Sequence, residues 1–252
     1  MKKSFLFSAI LLFTPLMGNA AGEVAKPQAM DWSSKSVFGT YDRAALQRGF
    51  QVYMEVCASC HSLKSLSYRD LKGLGFSEAK IKAIAASVQV EGEKNEEGIP
   101  VERPGKPADR FKNPYKTNEA ARAANNGALP PDLSLMAKAR KFGADYLHAL
   151  LVGYQNPPEG MKLSPGLYYN IAFPGNQIAM APPLVEGQVT YSDGTQATVD
   201  QMSLDVATFL QWAADPHMES RKQLGIKVIL YLLVFSVLMY FGMRRVWRGV
   251  KD

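Results

Sequence analysis

Cys57-Ala58-Ser59-Cys60-His61 decides how the rest of the 252-residue sequence is understood. Two thiols separated by two residues and followed at once by an imidazole make the Cys-x-x-Cys-His pattern that attaches a c-type haem. Cysteines about one helical turn apart can each reach one vinyl group of a porphyrin, and the next side chain then points at the iron. His61 is therefore the proximal-ligand candidate. Two other readings use the same residues. A redox dithiol would open a helix after a strand in a βαβ unit, whereas this pair ends a helical stretch. A zinc site needs four ligands, and Cys57 and Cys60 are the only two cysteines in the chain.

Both ends of the chain carry membrane signals. Lys2 and Lys3 precede an apolar run from Phe5 to Leu16, and Gly18-Asn19-Ala20 places small residues at the −3 and −1 positions of a cleavage site. Residues 1–20 thus read as a cleaved signal peptide, the run being short for a membrane span. Export agrees with haem attachment outside the bacterial cytoplasm, and no spare thiols remain to be paired in an oxidising compartment. From Leu224 to Met243 the chain is almost wholly apolar, interrupted by Lys227. Twenty residues at 1.5 Å each span about 30 Å, enough to cross a bilayer. Lys227 can snorkel, and Arg244, Arg245, Trp247, Arg248 and Lys251 form the basic, aromatic flank of a cytoplasmic end.

The formal charge of +6 would suit nucleic acid, but it is not spread over the chain. Without Lys2, Lys3 and residues 219–252, 20 basic and 21 acidic side chains remain. The basic excess belongs to targeting and membrane orientation, which removes nucleic acid as a partner. Residues 21–218 are left as one exported domain, long enough for a sizeable core.

That domain reads as mainly α-helical. Asp42 is a candidate N-cap, and Leu46, Gly49, Phe50, Tyr53 and Cys57 follow at helical spacing, placing the haem motif at the helix's C-terminal end. Thr198-x-x-Gln201 resembles a capping box. Met202, Val206, Phe209, Leu210 and Ala213 then share one face until Asp215-Pro216 ends the helix. Gly49 would let these two helices approach closely, with Phe50 against Phe209. Shorter helices are expected over 77–88, over 117–124 with Asn125-Asn126-Gly127 as a stop, from Asp132 or Ser134 to Gly143, and over 145–154. Strand signals are weak throughout, and the Pro- and Gly-rich stretch 155–183 suggests an ordered loop.

The sixth iron ligand is expected in that loop. His148, His217 and the methionines of the domain are all chemically eligible. Met180 stands out by its context, Gly175-Asn176-Gln177-Ile178-Ala179-Met180-Ala181-Pro182-Pro183-Leu184, where prolines would stiffen the backbone around a thioether. A His/Met pair raises the iron potential and fills both axial positions, which suits an electron carrier.

Three features together resemble cytochrome c1, the haem subunit of the cytochrome bc1 complex. They are Arg122-Ala123-Ala124-Asn125-Asn126-Gly127-Ala128-Leu129-Pro130-Pro131-Asp132-Leu133-Ser134, the run Tyr168-Tyr169-Asn170 leading into Met180-Ala181-Pro182-Pro183-Leu184, and the C-terminal anchor. The resemblance implies a class I cytochrome c-like domain with long loops plus one transmembrane helix. It implies one covalently bound haem c on Cys57 and Cys60, with His61 and Met180 as axial ligands. Arg140 and Tyr146 match family residues that contact a haem propionate. Some bacterial members carry an extra disulfide here; this chain cannot, so packing and proline are expected to steady its ligand loop.

The resemblance further implies single-electron transfer from a Rieske iron–sulfur protein to a soluble or membrane-tethered cytochrome c, beside a cytochrome b subunit. The chain would not be catalytic alone and would sit in a bacterial inner membrane with its haem domain periplasmic. Glu91, Glu93, Glu96, Glu97 and Glu102 form either a docking patch for a basic cytochrome c or a solvated loop. Two alternatives use the same features: a haem subunit of another membrane dehydrogenase or oxidase, and a membrane-tethered thiol oxidoreductase.

Overall fold

The computed structural model describes residues 26–250; the segment 1–20, expected to be a signal peptide, lies outside them. Helix α1 (Arg43–Glu55) starts where Asp42 accepts hydrogen bonds from the N–H groups of Ala44 and Ala45, satisfying two of the unpaired donors of a helix start. Helix α6 (Val199–Ala214) is capped by Thr198, whose hydroxyl accepts from Gln201 N–H at 3.1 Å, and by Glu186, whose carboxylate accepts from Val199 N–H. These two helices form the centre of the fold.

Glycine sets their separation. A Cβ built on Gly49 would stand 2.0 Å from the Asp205 carbonyl oxygen, so the backbones touch there. Phe50 meets Phe209 edge to face with ring centroids 5.7 Å apart, as the sequence predicts, and Phe76 and Phe111 close around it at 5.7 and 6.2 Å. Arg48 on α1 binds Asp205 on α6 through two 2.9 Å hydrogen bonds and reaches Asp193 at 2.8 Å. Asp205 is fully buried, and the bidentate guanidinium supplies the charge-assisted donors that a carboxylate needs there.

Smaller elements surround this pair. Helices α2 (Glu78–Ala86) and α3 (Asn118–Ala124) have the expected caps at Ser77 and Thr117. The stop after α3 uses Asn126 and Gly127 at positive φ. The helix expected to end at Gly143 shrinks to one turn, α4 (Met136–Ala139), and α5 (Gly143–Val152) begins two residues before Asp145. Phe142 at φ 70° and Gly143 at φ 55° make the sharp turn between them.

Two expectations need correction. The acidic stretch is a hairpin, β1 (Gln89–Lys94) paired antiparallel with β2 (Pro100–Pro104). Its turn is held by Asn95, whose side-chain oxygen accepts from Glu97 and Ile99 N–H. Within 155–183 a second short pair, β3 (Tyr168–Tyr169) and β4 (Gln177–Ile178), crosses the expected loop.

Helix α7 (Met218–Trp247) starts four residues after α6 ends, the break falling at Asp215-Pro216. At 30 residues it is, among the described residues, the one helix long and apolar enough to cross a membrane, and the rest of the fold leaves its apolar stretch uncovered. Its length, about 45 Å at 1.5 Å per residue, encloses the expected span 224–243.

Candidate haem site

The motif occupies a tight turn directly after α1. Cys57–Ser59 form a single 3₁₀ turn, and both Cys60 and His61 donate their N–H to the Cys57 carbonyl. Both cysteines are free and half-buried. Burial, with the neighbouring Cys60 adding to it, pushes the Cys57 thiol up to about 12, the opposite of the depressed pKa that an exchange-active dithiol requires. Among the described residues no group of three or more His, Cys, Asp or Glu side chains gathers as a metal cluster, so the thiols lack the further partners of a zinc site.

His61 is held from two sides. Tyr53, one turn before the motif on α1, donates its hydroxyl to the His61 carbonyl at 3.1 Å. The ring's Nδ1 lies 2.8 Å from the Pro131 carbonyl. A carbonyl only accepts, so Nδ1 carries the proton and the lone pair sits on Nε2. Burial lowers the His61 pKa by more than the Pro131 hydrogen bond and the Asp132 carboxylate raise it, which keeps the ring neutral at pH 7.

The segment after Pro131 fastens the chain that follows His61. Asp132 accepts from the Ser62 hydroxyl at 2.7 Å and Lys64 N–H at 2.9 Å, Ser134 accepts from Ser65 N–H, and Leu133 donates to the Ser62 carbonyl. Burial alone would raise the Asp132 pKa; the donors from Lys64, Ser134 and Ser62 outweigh it and leave the carboxyl below its ordinary value. On the other side Tyr115 directs its hydroxyl at Cys60 Sγ, 3.9 Å away, and receives a 3.1 Å hydrogen bond from Asn125. The sequence places Tyr53 on a helix face, Asn125 in a helix stop and Asp132 at a candidate helix start, but points to no part for these residues or Tyr115 in holding the motif. The visible signal is the Arg122–Ser134 stretch, which contains Asn125 and Asp132.

Met180 is half-buried two residues beyond β4, and its carbonyl accepts the Tyr154 hydroxyl at 3.0 Å. The strap leading to it is organised by Asn170, which is fully buried. The Asn170 amide donates to the Leu150 carbonyl at 2.8 Å and accepts from Ala172 and Phe173 N–H, while Asn176 donates back to the Asn170 carbonyl. Packing and proline were expected to steady this loop. A buried amide network does so as well, because a turn-rich segment pressed against a helix leaves backbone groups that only such a side chain can satisfy.

The other ligand candidates have different placements. His148 is buried on α5 with Nε2 2.9 Å from Asp200, joining α5 to the first turn of α6. His217 is exposed at the start of α7, and Met136, Met202 and Met218 belong to the hydrophobic core. Tyr146 is buried on α5; burial raises its phenol pKa, and the nearby Arg140 guanidinium opposes that shift. Arg140 is exposed and has no ion-pair partner among the described residues, which leaves its charge available to an anion.

Two unpaired thiols one turn apart, a neutral imidazole with Nε2 free, and a thioether on a braced strap make a donor set that suits a thioether-linked porphyrin. They are the donors expected of a haem-binding chain, and the same chain carries one long apolar C-terminal helix among the described residues. Residues 32–250 match the Cytochrome C1 family, and the chain belongs to that family. It is 48% identical to "Cytochrome c1-2, heme protein, mitochondrial" of Solanum tuberosum, over 88% of this chain and 85% of that protein. It is 45% identical to "Cytochrome b-c1 complex catalytic subunit, mitochondrial" of Candida albicans, over 92% and 81%. With "Cytochrome b/c1" of Bradyrhizobium diazoefficiens it shares 47% identity over 88% of its own length, and it spans about a third of that longer protein, 36%.

Proposed function

We propose that this chain is the haem-bearing subunit of a cytochrome bc1-type complex, passing single electrons from a Rieske iron–sulfur protein to a cytochrome c. The observation that carries the reading is the His61 ring, fixed by Pro131 with Nε2 free, one residue after two unpaired thiols. When bound, the haem supplies a one-electron centre whose potential is raised by a thioether ligand.

The chain's own residues account for the remaining requirements of such a carrier. Cys57 and Cys60 would hold the porphyrin through thioethers. Pro131 keeps the His61 tautomer fixed and raises the ring's basicity as a ligand. Met180, whose carbonyl accepts the Tyr154 hydroxyl, would supply a thioether ligand to the iron. Arg140 and Tyr146 offer a cation and a phenol to a propionate. No proton-transfer constellation is needed, since one electron enters and one leaves, and quinol oxidation belongs to other subunits of the assembly.

The name of the Bradyrhizobium protein joins b and c1, and the Candida protein is named for a b-c1 complex. Both support a cytochrome b neighbour for this chain. Helix α7 would cross a bacterial inner membrane, with Arg244, Arg245 and Arg248 on the cytoplasmic side and the haem domain periplasmic. The acidic hairpin, with Ile99 and Val101 exposed near its tip, is the candidate docking surface for a basic cytochrome c.

Acid–acetone extraction of the membrane-purified protein, followed by reduced and oxidised spectra of wild type and Met180→Leu, tests the core of the proposal. Haem should resist extraction in both, and the variant should lose the thioether–iron charge-transfer band and much of its potential. Extractable haem, or alkylatable Cys57 and Cys60, would return the site to the dithiol reading.

A further inference from the structure

The turn that precedes α1 carries an unusual pair of side chains. Phe38 is 79% exposed, the most exposed large apolar residue described, and Val37 beside it is 67% exposed. They form the two corners of a tight turn closed by the Gly39 N–H to Ser36 carbonyl bond, positions that normally hold Gly, Pro, Asn, Asp or Ser. Two adjacent apolar corners held out into water are unfavourable unless something apolar receives them.

The turn is rigid, and its height along the molecule is fixed by α7. Lys222 donates its ammonium to the carbonyls of Ser34 and Ser36, both at 2.6 Å, and to that of Gly39 at 3.4 Å. Glu219 on the same helix accepts from Tyr41 N–H at 2.7 Å and binds Arg43 at 2.6 Å. A Cβ on Gly39 would collide with the Ser33 carbonyl oxygen at 2.5 Å, so residues 33–39 fold back on themselves with no slack. Lys222 stands only two residues, about 3 Å of helix rise, before Leu224, where the uncovered apolar surface of α7 begins. The turn is therefore held at the level where the uncovered apolar stretch of α7 begins, with Val37, Phe38 and Lys35 all exposed there.

Resting on the reading of α7 as a membrane span, we infer that the Ser33–Gly39 turn is an interfacial wedge. Val37 and Phe38 enter the outer-leaflet boundary of the bilayer while Lys35 meets lipid phosphates. The Lys222 clasp makes wedge and span one rigid unit, which fixes the tilt of the haem domain over the membrane instead of leaving it to pivot at Asp215-Pro216.

Nitroxide labels test this in the haem-loaded full chain reconstituted into phosphatidylcholine/phosphatidylglycerol vesicles. Single cysteines are introduced by Phe38→Cys, by Ile99→Cys on the exposed hairpin as the aqueous reference, and by Phe235→Cys in the middle of α7 as the deep reference. Relaxation by oxygen against relaxation by a water-soluble nickel chelate reports depth. The oxygen-to-nickel ratio at 38 should exceed that at 99 severalfold and fall below that at 235. A Phe38 label as wet as the Ile99 label, with the 235 label dry, overturns the wedge and leaves the span standing. A wet label at 235 removes the span and the wedge together. A label at 38 that is wet in vesicles and dry only in the assembled complex assigns the turn to a neighbouring subunit and also overturns the inference. Val37→Cys repeats the measurement at the adjacent corner should Phe38→Cys fail to incorporate haem.

Discussion

Replacing Asn170 with alanine should loosen the Met180 strap without dismantling the domain. The side chain makes three hydrogen bonds, to the Leu150 carbonyl and from the N–H groups of Ala172 and Phe173, all in a fully buried setting. Each contributes about 1 kcal/mol net, and each buried partner left unpaired adds about 1–3 kcal/mol of lost solvation. Partial relaxation of the strap would recover some of this, giving a loss on the order of 3–5 kcal/mol. A domain of ordinary stability, about 5–15 kcal/mol, tolerates that loss. Urea unfolding of the detergent-solubilised full chain, followed by far-ultraviolet circular dichroism, measures the stability. The thioether–iron charge-transfer band measures whether Met180 stays in place. Asn170→Ala is expected to lower the urea midpoint and weaken the band at room temperature, whereas Asn170→Asp should be worse still, because it sets a carboxylate against the Leu150 carbonyl. A variant within about 0.5 kcal/mol of wild type and with its band intact would refute the reasoning. A less stable variant with an unchanged band would separate the strap's stability from its hold on the ligand.

Three further outcomes follow from the same geometry. Gly49→Ala puts a methyl group 2.0 Å from the Asp205 carbonyl oxygen and 2.8 Å from Phe209 Cβ; the helices must part, costing about 3 kcal/mol or more, read as a drop in melting temperature with a weakened Arg48–Asp205 bond. Asp132→Asn turns an amide donor toward Lys64 N–H and the Ser62 hydroxyl, costing about 2–3 kcal/mol; the expected sign is a lower yield of haem-loaded protein, and an unchanged yield and melting temperature would contradict it. At the hairpin base the Arg103 guanidinium, bonded to Asp109 at 2.7 and 2.8 Å, together with Lys106 N–H holds that carboxyl at about 2. A carboxyl depressed in the folded state stabilises above its unfolded pKa and stops doing so as pH falls through the folded one. Hydrogen-exchange protection of β1 and β2, corrected for intrinsic rates, should therefore hold down to about pH 4 and decline toward pH 2, a decline that Arg103→Gln should abolish by removing the protection already at neutral pH.

The elements that were legible in the sequence are those whose signals are local and periodic. Helices α1 and α6 display an N-cap followed by apolar residues at helical spacing, and Gly49 marks their contact because only a missing side chain permits it. The β1–β2 hairpin lacked such a signal. None of its strand residues is buried and only Val90, Gly92 and Arg103 are half-buried, so no run of alternating apolar residues distinguishes them from coil; Asn95 and Gly98 are the local turn signal. Strands β3 and β4 have two residues each, shorter than any period can register. Within the site, Cys57, Cys60 and His61 announce themselves by spacing. The residues that hold them do not, since Tyr53 acts from the preceding turn of a helix and Pro131 to Ser134 act from seventy residues away.

The long-range residues divide the proposed axial ligands between two independent braces. His61 is tied to α1 through Tyr53 and to the 131–134 segment. Met180 is tied to α5 through Tyr154, just past that helix, and through Asn170 bonded to Leu150. The braces meet at α6, which packs on α1 through Phe209 and binds α5 through the His148–Asp200 bond. An electron carrier benefits from such an arrangement, because ligands held by separate rigid supports move little when the charge at the metal changes. It follows that damage to one brace should spare the other. Asn170→Ala should weaken Met180 ligation while covalent haem and the His61 bond persist, and Asp132→Asn should disturb haem loading while the Met180 strap keeps its exchange protection. Simultaneous loss of both in either variant would mean that the two ligand segments fold as one unit, with α6 alone insufficient to hold them apart.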